Sequence, residues 1–187
     1  MGMQKTPEIA NSELAEDFRN CLRTVGASVA LIATQIDTAR FGMTATAIMS
    51  VSMDPPSLVV GVNRAASIYG PLLETGAFAV NYLTGECAAL ARDFSAAAPA
   101  QRFSFGTWQD RRLRLDDLSC SSLPYLAEAQ ATIYCSVIDV HVFGTHGLIL
   151  GKVLEIQNRD EGSSLLYCRG RYGTFIQSSG SDASKAG

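Results

Sequence analysis

The sequence predicts a mainly β protein, an antiparallel barrel or sandwich. Three observations carry that expectation. Short runs rich in Val, Ile, Thr and Ala recur between turn signals, and helical periodicity is confined to a few short stretches. Neither a βαβ alternation nor a GxGxxG loop is present, so a nucleotide would have to be held in some way other than a Rossmann domain.

The elements follow in order. Leu14, Phe18, Leu22 and Val25 recur at three- and four-residue steps behind Ser12, so residues 12–24 read as an amphipathic helix with Ser12 as N-cap, ended near Gly26. Residues 28–35, 43–53 and 58–63 read as strands, divided by residues 37–42 and by Asp54-Pro55-Pro56. Helical patterns at 67–73 and 86–94 flank a strand at 78–83 and would cover a sheet edge. Residues 95–100, Ala-rich and containing Pro99, read as a loop. Long apolar strands at 131–142 and 147–156 are joined by Phe143-Gly144-Thr145-His146, a hairpin. A last pair, 165–168 and 172–176, brackets Arg169-Gly170-Arg171. One domain is expected over residues 12–177, with tails at 1–11 and 178–187, because small and polar residues crowd both ends.

Composition excludes several partners. Fifteen Lys and Arg against 18 Asp and Glu leave a net charge of −3, so no nucleic-acid partner is expected, and the short cluster Arg111, Arg112 and Arg114 reads as a solvated turn. No metal site is expected, since the five cysteines (Cys21, Cys87, Cys120, Cys135, Cys168) are widely spaced and only His141 and His146 could complement them. With no run of about 18 apolar residues and no apolar leader, the expectation is a cytoplasmic protein with reduced thiols and no membrane partner. Acids cluster in the first helix, at 110–117 and at Asp160-Glu161, which are surface-like settings rather than a hydrolytic pair. Neither GxSxG nor a P-loop is present.

One stretch stands out. Thr44-Ala45-Thr46-Ala47 is a run of small side chains in a strand pattern, where larger β-branched or aromatic residues would pack better. It is either a tightly packed strand or a place where a flat ligand lies directly against the backbone, taking its N–H groups. Further on, Arg64 and Ser67 precede a helical pattern, which would gather a guanidinium, a hydroxyl and a helix start around an anion. Arg64 read alone is equally a solvated turn residue.

The run GMTATAIMSVSMDPP, followed by LVVGVNRAASIYGPLLETGAFAVNYL, then ALARDF and QRF, then THGLILGKV and LLYCRGRYG, resembles the flavin reductase family of the FMN-binding split-barrel fold over residues 14–176. The resemblance implies an antiparallel Greek-key split β-barrel with a few flanking helices. It further implies an NAD(P)H:flavin oxidoreductase that supplies reduced flavin to a separate oxygenase component. By the same resemblance Met43, Thr44, Ala45, Thr46, Ala47 and Ile48 lie along the isoalloxazine, and Ser50 and Ser52 near the ribityl chain and phosphate. Asn63, Arg64 and Ser67 would hold the phosphate. Phe94, Arg102 and Phe103 would form a second flavin-side segment, or else the two aromatics are core. Tyr172 and Gly173 match a segment that closes over the site, though Tyr172 reads equally as a packed core aromatic.

His146 matches a histidine near the nicotinamide, the one candidate catalytic residue, whereas His141 reads as structural. The family usually carries an acid just before that histidine and a hydroxyl residue just after, where this chain has Thr145 and Gly147, so weaker orienting hydrogen bonds are expected. The implied chemistry is hydride transfer from NADH or NADPH to FMN or FAD, with the protein stacking the two rings and no side chain acting as nucleophile. The alternatives are a non-catalytic flavin carrier and a split-barrel flavoenzyme acting on another small molecule. A mean hydropathy of +0.12 leads us to expect a homodimer that covers an apolar sheet face.

Overall fold

A computed structural model describes residues 11–115, 120–159 and 162–176. The tails beyond residues 11 and 176, and the acids Asp116, Asp117, Asp160 and Glu161, lie outside the described residues. Helix α1 spans Asn11–Arg23, one residue earlier than its periodicity suggested, so Ser12 is inside the helix rather than its cap. Its apolar stripe, Leu14, Phe18 and Leu22, is exposed, as is Val25 just beyond it.

Strands β1 (Ala27–Ser28), β2 (Ala30–Ile36) and β3 (Ala39–Ala45) follow, then β4 (Ile48–Met53) and β5 (Pro56–Asn63). Helix α2 (Tyr69–Thr75) leads to β6 (Ala77–Tyr82), and a 3₁₀ turn, Gly85–Cys87, runs into α3 (Ala88–Ala96). The expected loop at 95–100 is trimmed at both ends, because α3 runs through Ala96 and a second 3₁₀ segment spans Pro99–Ser104. The hairpin β7 (Trp108–Arg114) and β8 (Cys120–Leu126) precedes the long hairpin β9 (Ala131–Phe143) and β10 (His146–Asn158). Strands β11 (Leu165–Cys168) and β12 (Arg171–Thr174) end the described chain.

Seven strands form one antiparallel sheet in the order β3-β2-β6-β9-β10-β5-β4. Its two edge strands, β3 and β4, are joined by only two residues, Thr46 and Ala47. The expected single strand at 43–53 is therefore two strands on opposite edges. The crossing curls the sheet into a split barrel, and the amide of Gly61 on β5 donates to the Ala47 carbonyl at 2.9 Å, extending the β4–β5 ladder into the crossing. The arginine cluster is also not a turn: Arg111, Arg112 and Arg114 lie on β7, where Arg111 pairs with Glu155 at 2.6 Å.

Strand β2 alternates between two cores. Ala30 and Ile32 face the barrel interior with Val60, Val62, Phe78, Cys135 and Ile149. Leu31 and Val29 face outward, under Phe94 of α3, Leu83 and Leu126. With both faces covered, β2 reads as a nearly continuous apolar run. Asn81 is a buried pin between layers: its amide donates to the Leu31 carbonyl, and its oxygen accepts from the Leu126 amide and the Thr132 hydroxyl. Burial pushes the Cys135 thiol up to about 12.

Candidate functional site

The site grows from the crossing. Ala45 is buried in the barrel core, and Met43 and Ile48 pack their side chains inward, which leaves Thr46 and Ala47 as its exposed residues. Because β3 and β4 are both edge strands, part of their backbone N–H and C=O groups has no ladder partner. The Thr44 hydroxyl is buried and has no hydrogen-bond partner among the described residues. An orphaned polar atom beside small, uncovered backbone is what a flat polar ligand would complete, so these residues fit an isoalloxazine edge.

The strand register then joins distant sequence segments. Ile48 faces Val60 across β4–β5, Gly61 faces Leu148 across β5–β10, and Asn63 faces His146. Two strand spacings, about 10 Å, separate the crossing from the start of β10. The amide of Arg64 donates to the Thr145 carbonyl at 2.9 Å, fastening the turn after β5 to the β9–β10 hairpin. The Asn63 side chain accepts from the Ala65 amide at 2.9 Å and closes that turn. His146 is exposed, and its Nδ1 lies 2.9 Å from the Thr145 hydroxyl. The ring thus has an orienting partner despite the missing acid. Gly147 is glycine for a steric reason: a Cβ there would stand 2.7 Å from Cε2 of Tyr69.

Other candidates fall elsewhere. Phe94 is fully buried and packs on Phe103 and Trp108 with ring centroids 5.7 and 5.8 Å away, so its ring serves the outer core and offers no surface to a flavin. Gly42 accommodates that cluster, since a Cβ on it would meet Phe94 at 2.9 Å and Phe103 at 3.0 Å. Arg102 is a structural clamp. Its Nη1 donates to the Gly42 carbonyl at 2.7 Å and its Nε to the Ala97 carbonyl at 3.3 Å, which ties the second 3₁₀ segment to the strand entering the crossing.

Ser50 pairs with Leu58 and Ser52 with Ser57, five and six residues along β5 from Asn63, or roughly 16 to 20 Å. Within one protomer these hydroxyls do not share a phosphate with Asn63, Arg64 and Ser67. The Ser52 hydroxyl instead bonds Asp54 twice in a local turn. Ser67 is exposed, but α2 starts two residues later at Tyr69, with Ile68 at the cap and no capping side chain. Tyr172 is half-buried against Tyr167 at 5.2 Å. His141 is exposed on β9 opposite Leu148 rather than structural.

Sequence reasoning missed Tyr69 and Tyr167. A glycine directly after a hairpin histidine, in a strand, was the available signal for the close approach of Tyr69. An open pocket of about 630 Å³, lined by Glu86, Cys87, Glu128 and Arg159, lies toward the far end of β10 from His146.

This chain belongs to the flavin reductase family: residues 22–175 match the family model described as "Flavin reductase like domain". Among curated proteins it is similar to the FMN reductase (NADH) RutF of Methylorubrum populi, 36% identical over 162 residues, covering 86% of this chain and 76% of that one. Among solved structures it is similar to the flavin reductase HpaC complexed with NADP+, with a TM-score of 0.74, 25% identity, and coverage of 86% of this chain and 97% of that one. It is also similar to the flavin reductase PheA2, with a TM-score of 0.70, 27% identity and coverage of 87% and 98%.

Proposed function

We propose that this protein is an NADH-dependent flavin reductase that passes a hydride to FMN and releases reduced flavin to a separate oxygenase component. The observation that carries the reading is the juxtaposition of the uncovered crossing, Thr46 and Ala47, with His146 two strands away. A flavin held at the crossing would supply an N5 able to take a hydride from C4 of the nicotinamide. The chain's part is positional: backbone groups from Met43 to Ile48 align the flavin edge, and His146, held by Thr145, orients the nicotinamide. Arg64 and Ser67 serve the phosphate, while Asn63 shapes their turn.

The reading takes FMN over FAD and NADH over NADPH, in line with the name of the curated relative. It places the protein in the cytoplasm, where reduced nicotinamide nucleotides are made. It also takes the protein as a homodimer, supported by exposed apolar side chains on three neighbouring strands: Met49, Val51 and Met53 of β4, Ile138 of β9 and Leu148 of β10. Steady-state oxidation of NADH with added FMN, saturating in flavin, is the expected result. Tight flavin retention with no NADH turnover would make the protein a carrier instead. Light scattering that returned a fully active monomer of 20.0 kDa would remove the dimer.

A further inference from the structure

The outer face of the β9–β10 hairpin carries the chain's two histidines side by side. His141 pairs with Leu148 and Phe143 with His146 across the hairpin, and the register is unbroken from there to Leu150. Paired residues share a sheet face, as do residues two apart on one strand, so His141, Phe143, His146 and Leu148 all project from the same side. Ile149, of the opposite parity, is sealed in the barrel core, while Phe143 and Leu148 are exposed, which makes this the outer face. Both histidines are exposed there.

His141 and His146 occupy diagonal positions of successive pairs on that face, about 7 to 8 Å apart, a separation that aromatic and long side chains span. The Thr145 hydroxyl lies 2.9 Å from Nδ1 of His146, and with that nitrogen donating, Nε2 carries the free lone pair. His141 makes no hydrogen bond or ion pair among the described residues, so both of its ring nitrogens are uncommitted. Asp139, two residues before His141, adds a carboxylate to the same face, its Oδ1 accepting from the Val140 amide at 2.8 Å. Neutral imidazole suits borderline divalent transition metals, and the charge of such an ion is favoured beside that carboxylate. No group of three metal-ligating side chains comes together among the described residues, so a cation here has two protein ligands and completes its shell with water.

We propose that His141 and His146 form a two-histidine site for a borderline divalent transition metal such as zinc, and that the bound metal inhibits the protein by taking Nε2 of His146. Binding depends only on the register of the hairpin. Inhibition rests on the reading of His146 as the residue that orients the nicotinamide: a ring bound to zinc has its lone pair engaged, and the ion with its waters stands where the nicotinamide approaches. Magnesium, a hard ion that keeps oxygen ligands, does not suit the site. His141 has no part in hydride transfer and serves only as the second anchor of the metal.

Calorimetric titration of the chelator-treated protein with zinc chloride tests this. One zinc per chain is expected, released by EDTA, with an affinity roughly tenfold or more weaker in His141→Ala and in His146→Ala, each of which lacks one ligand. With FMN as acceptor, saturating zinc is expected to lower kcat/KM for NADH at least to the level of His146→Ala, and magnesium at the same concentration to change nothing. Without zinc, His141→Ala should oxidise NADH as the unmodified protein does, and it should resist zinc concentrations that inhibit that protein. Equal zinc affinity in the unmodified protein and both variants would place the metal elsewhere, at the exposed Cys21 thiol for instance, and overturn the proposal. Equal inhibition of His141→Ala would overturn it too, as would a zinc-dependent rise in mass by light scattering, which would give the ion to a contact between copies. If the protein does not oxidise NADH at all, the reading of His146 has failed, and the titration of the three proteins still decides the metal site.

Discussion

The ring of Tyr69 lies against Gly147 so closely that a Cβ there would stand 2.7 Å from Cε2 and 3.0 Å from the phenol oxygen. Tyr69 opens α2, directly after the turn that begins at Asn63, and Gly147 directly follows His146. The contact therefore packs that turn onto the strand that carries the histidine. Gly147→Ala is expected to cost about 1 to 3 kcal/mol, the usual range for an overpacked contact, and to raise KM for NADH as the ring or the strand gives way. In a Tyr69→Ala background the same change should be nearly neutral. Denaturant unfolding of the four proteins in this cycle measures the coupling.

A large side chain at the crossing is expected to hold a flavin off the backbone. Ala45 is the wrong place to test this, since it is 6% exposed and a larger residue there would overpack the barrel core. Ala47 is exposed, and Ala47→Leu should abolish quenching of FMN fluorescence while leaving the unfolding midpoint within the range of ordinary surface changes.

His146→Ala is expected to raise KM for NADH and lower kcat/KM by about ten- to a hundredfold, or roughly 1.4 to 2.7 kcal/mol of transition-state binding. Flavin affinity should hardly change, because the crossing lies two strands away. Thr145→Val removes the hydroxyl at 2.9 Å from Nδ1 and should reproduce part of the loss, with Thr145→Ser restoring it. Wild-type kcat/KM in His146→Ala would reduce the residue to a surface histidine.

Cys135 gives the fold a pH dependence of known sign. Its thiol is held protonated in the native core, with its value pushed up by burial to about 12, while in the unfolded chain it ionises near about 8.5. Below that lower value the stabilisation is complete. As pH rises toward 12 the unfolded state loses a proton the native state keeps, and stability falls by at most about 1.4 kcal/mol per unit. Tyr82, raised by burial and by Cys135, adds to the decline at higher pH. Denaturant unfolding at pH 8, 9.5 and 10.5 should show a shallower decline in Cys135→Ala than in the parent.

What the sequence determined by itself is local and periodic. The apolar steps of α1, the alternations of β9 and β10, the hairpin at Gly144 and the small-residue run before Ile48 each depend on near neighbours, so each could be read from the chain. Motif order was enough to find the family as well. The split of residues 43–53 between opposite sheet edges was not readable, because a strand pattern does not say which partner each half will pair with. Nor could the sequence separate Phe94, sealed under the outer core, from an aromatic facing a ligand. Arg102 was legible as a guanidinium but not as a clamp on the Gly42 carbonyl sixty residues away. Only tertiary packing brought Tyr69 onto Gly147 and the end of α1 beside Arg169. These outcomes depend on strand register and on which face is covered, quantities set by the packing of the whole sheet and its helices at once.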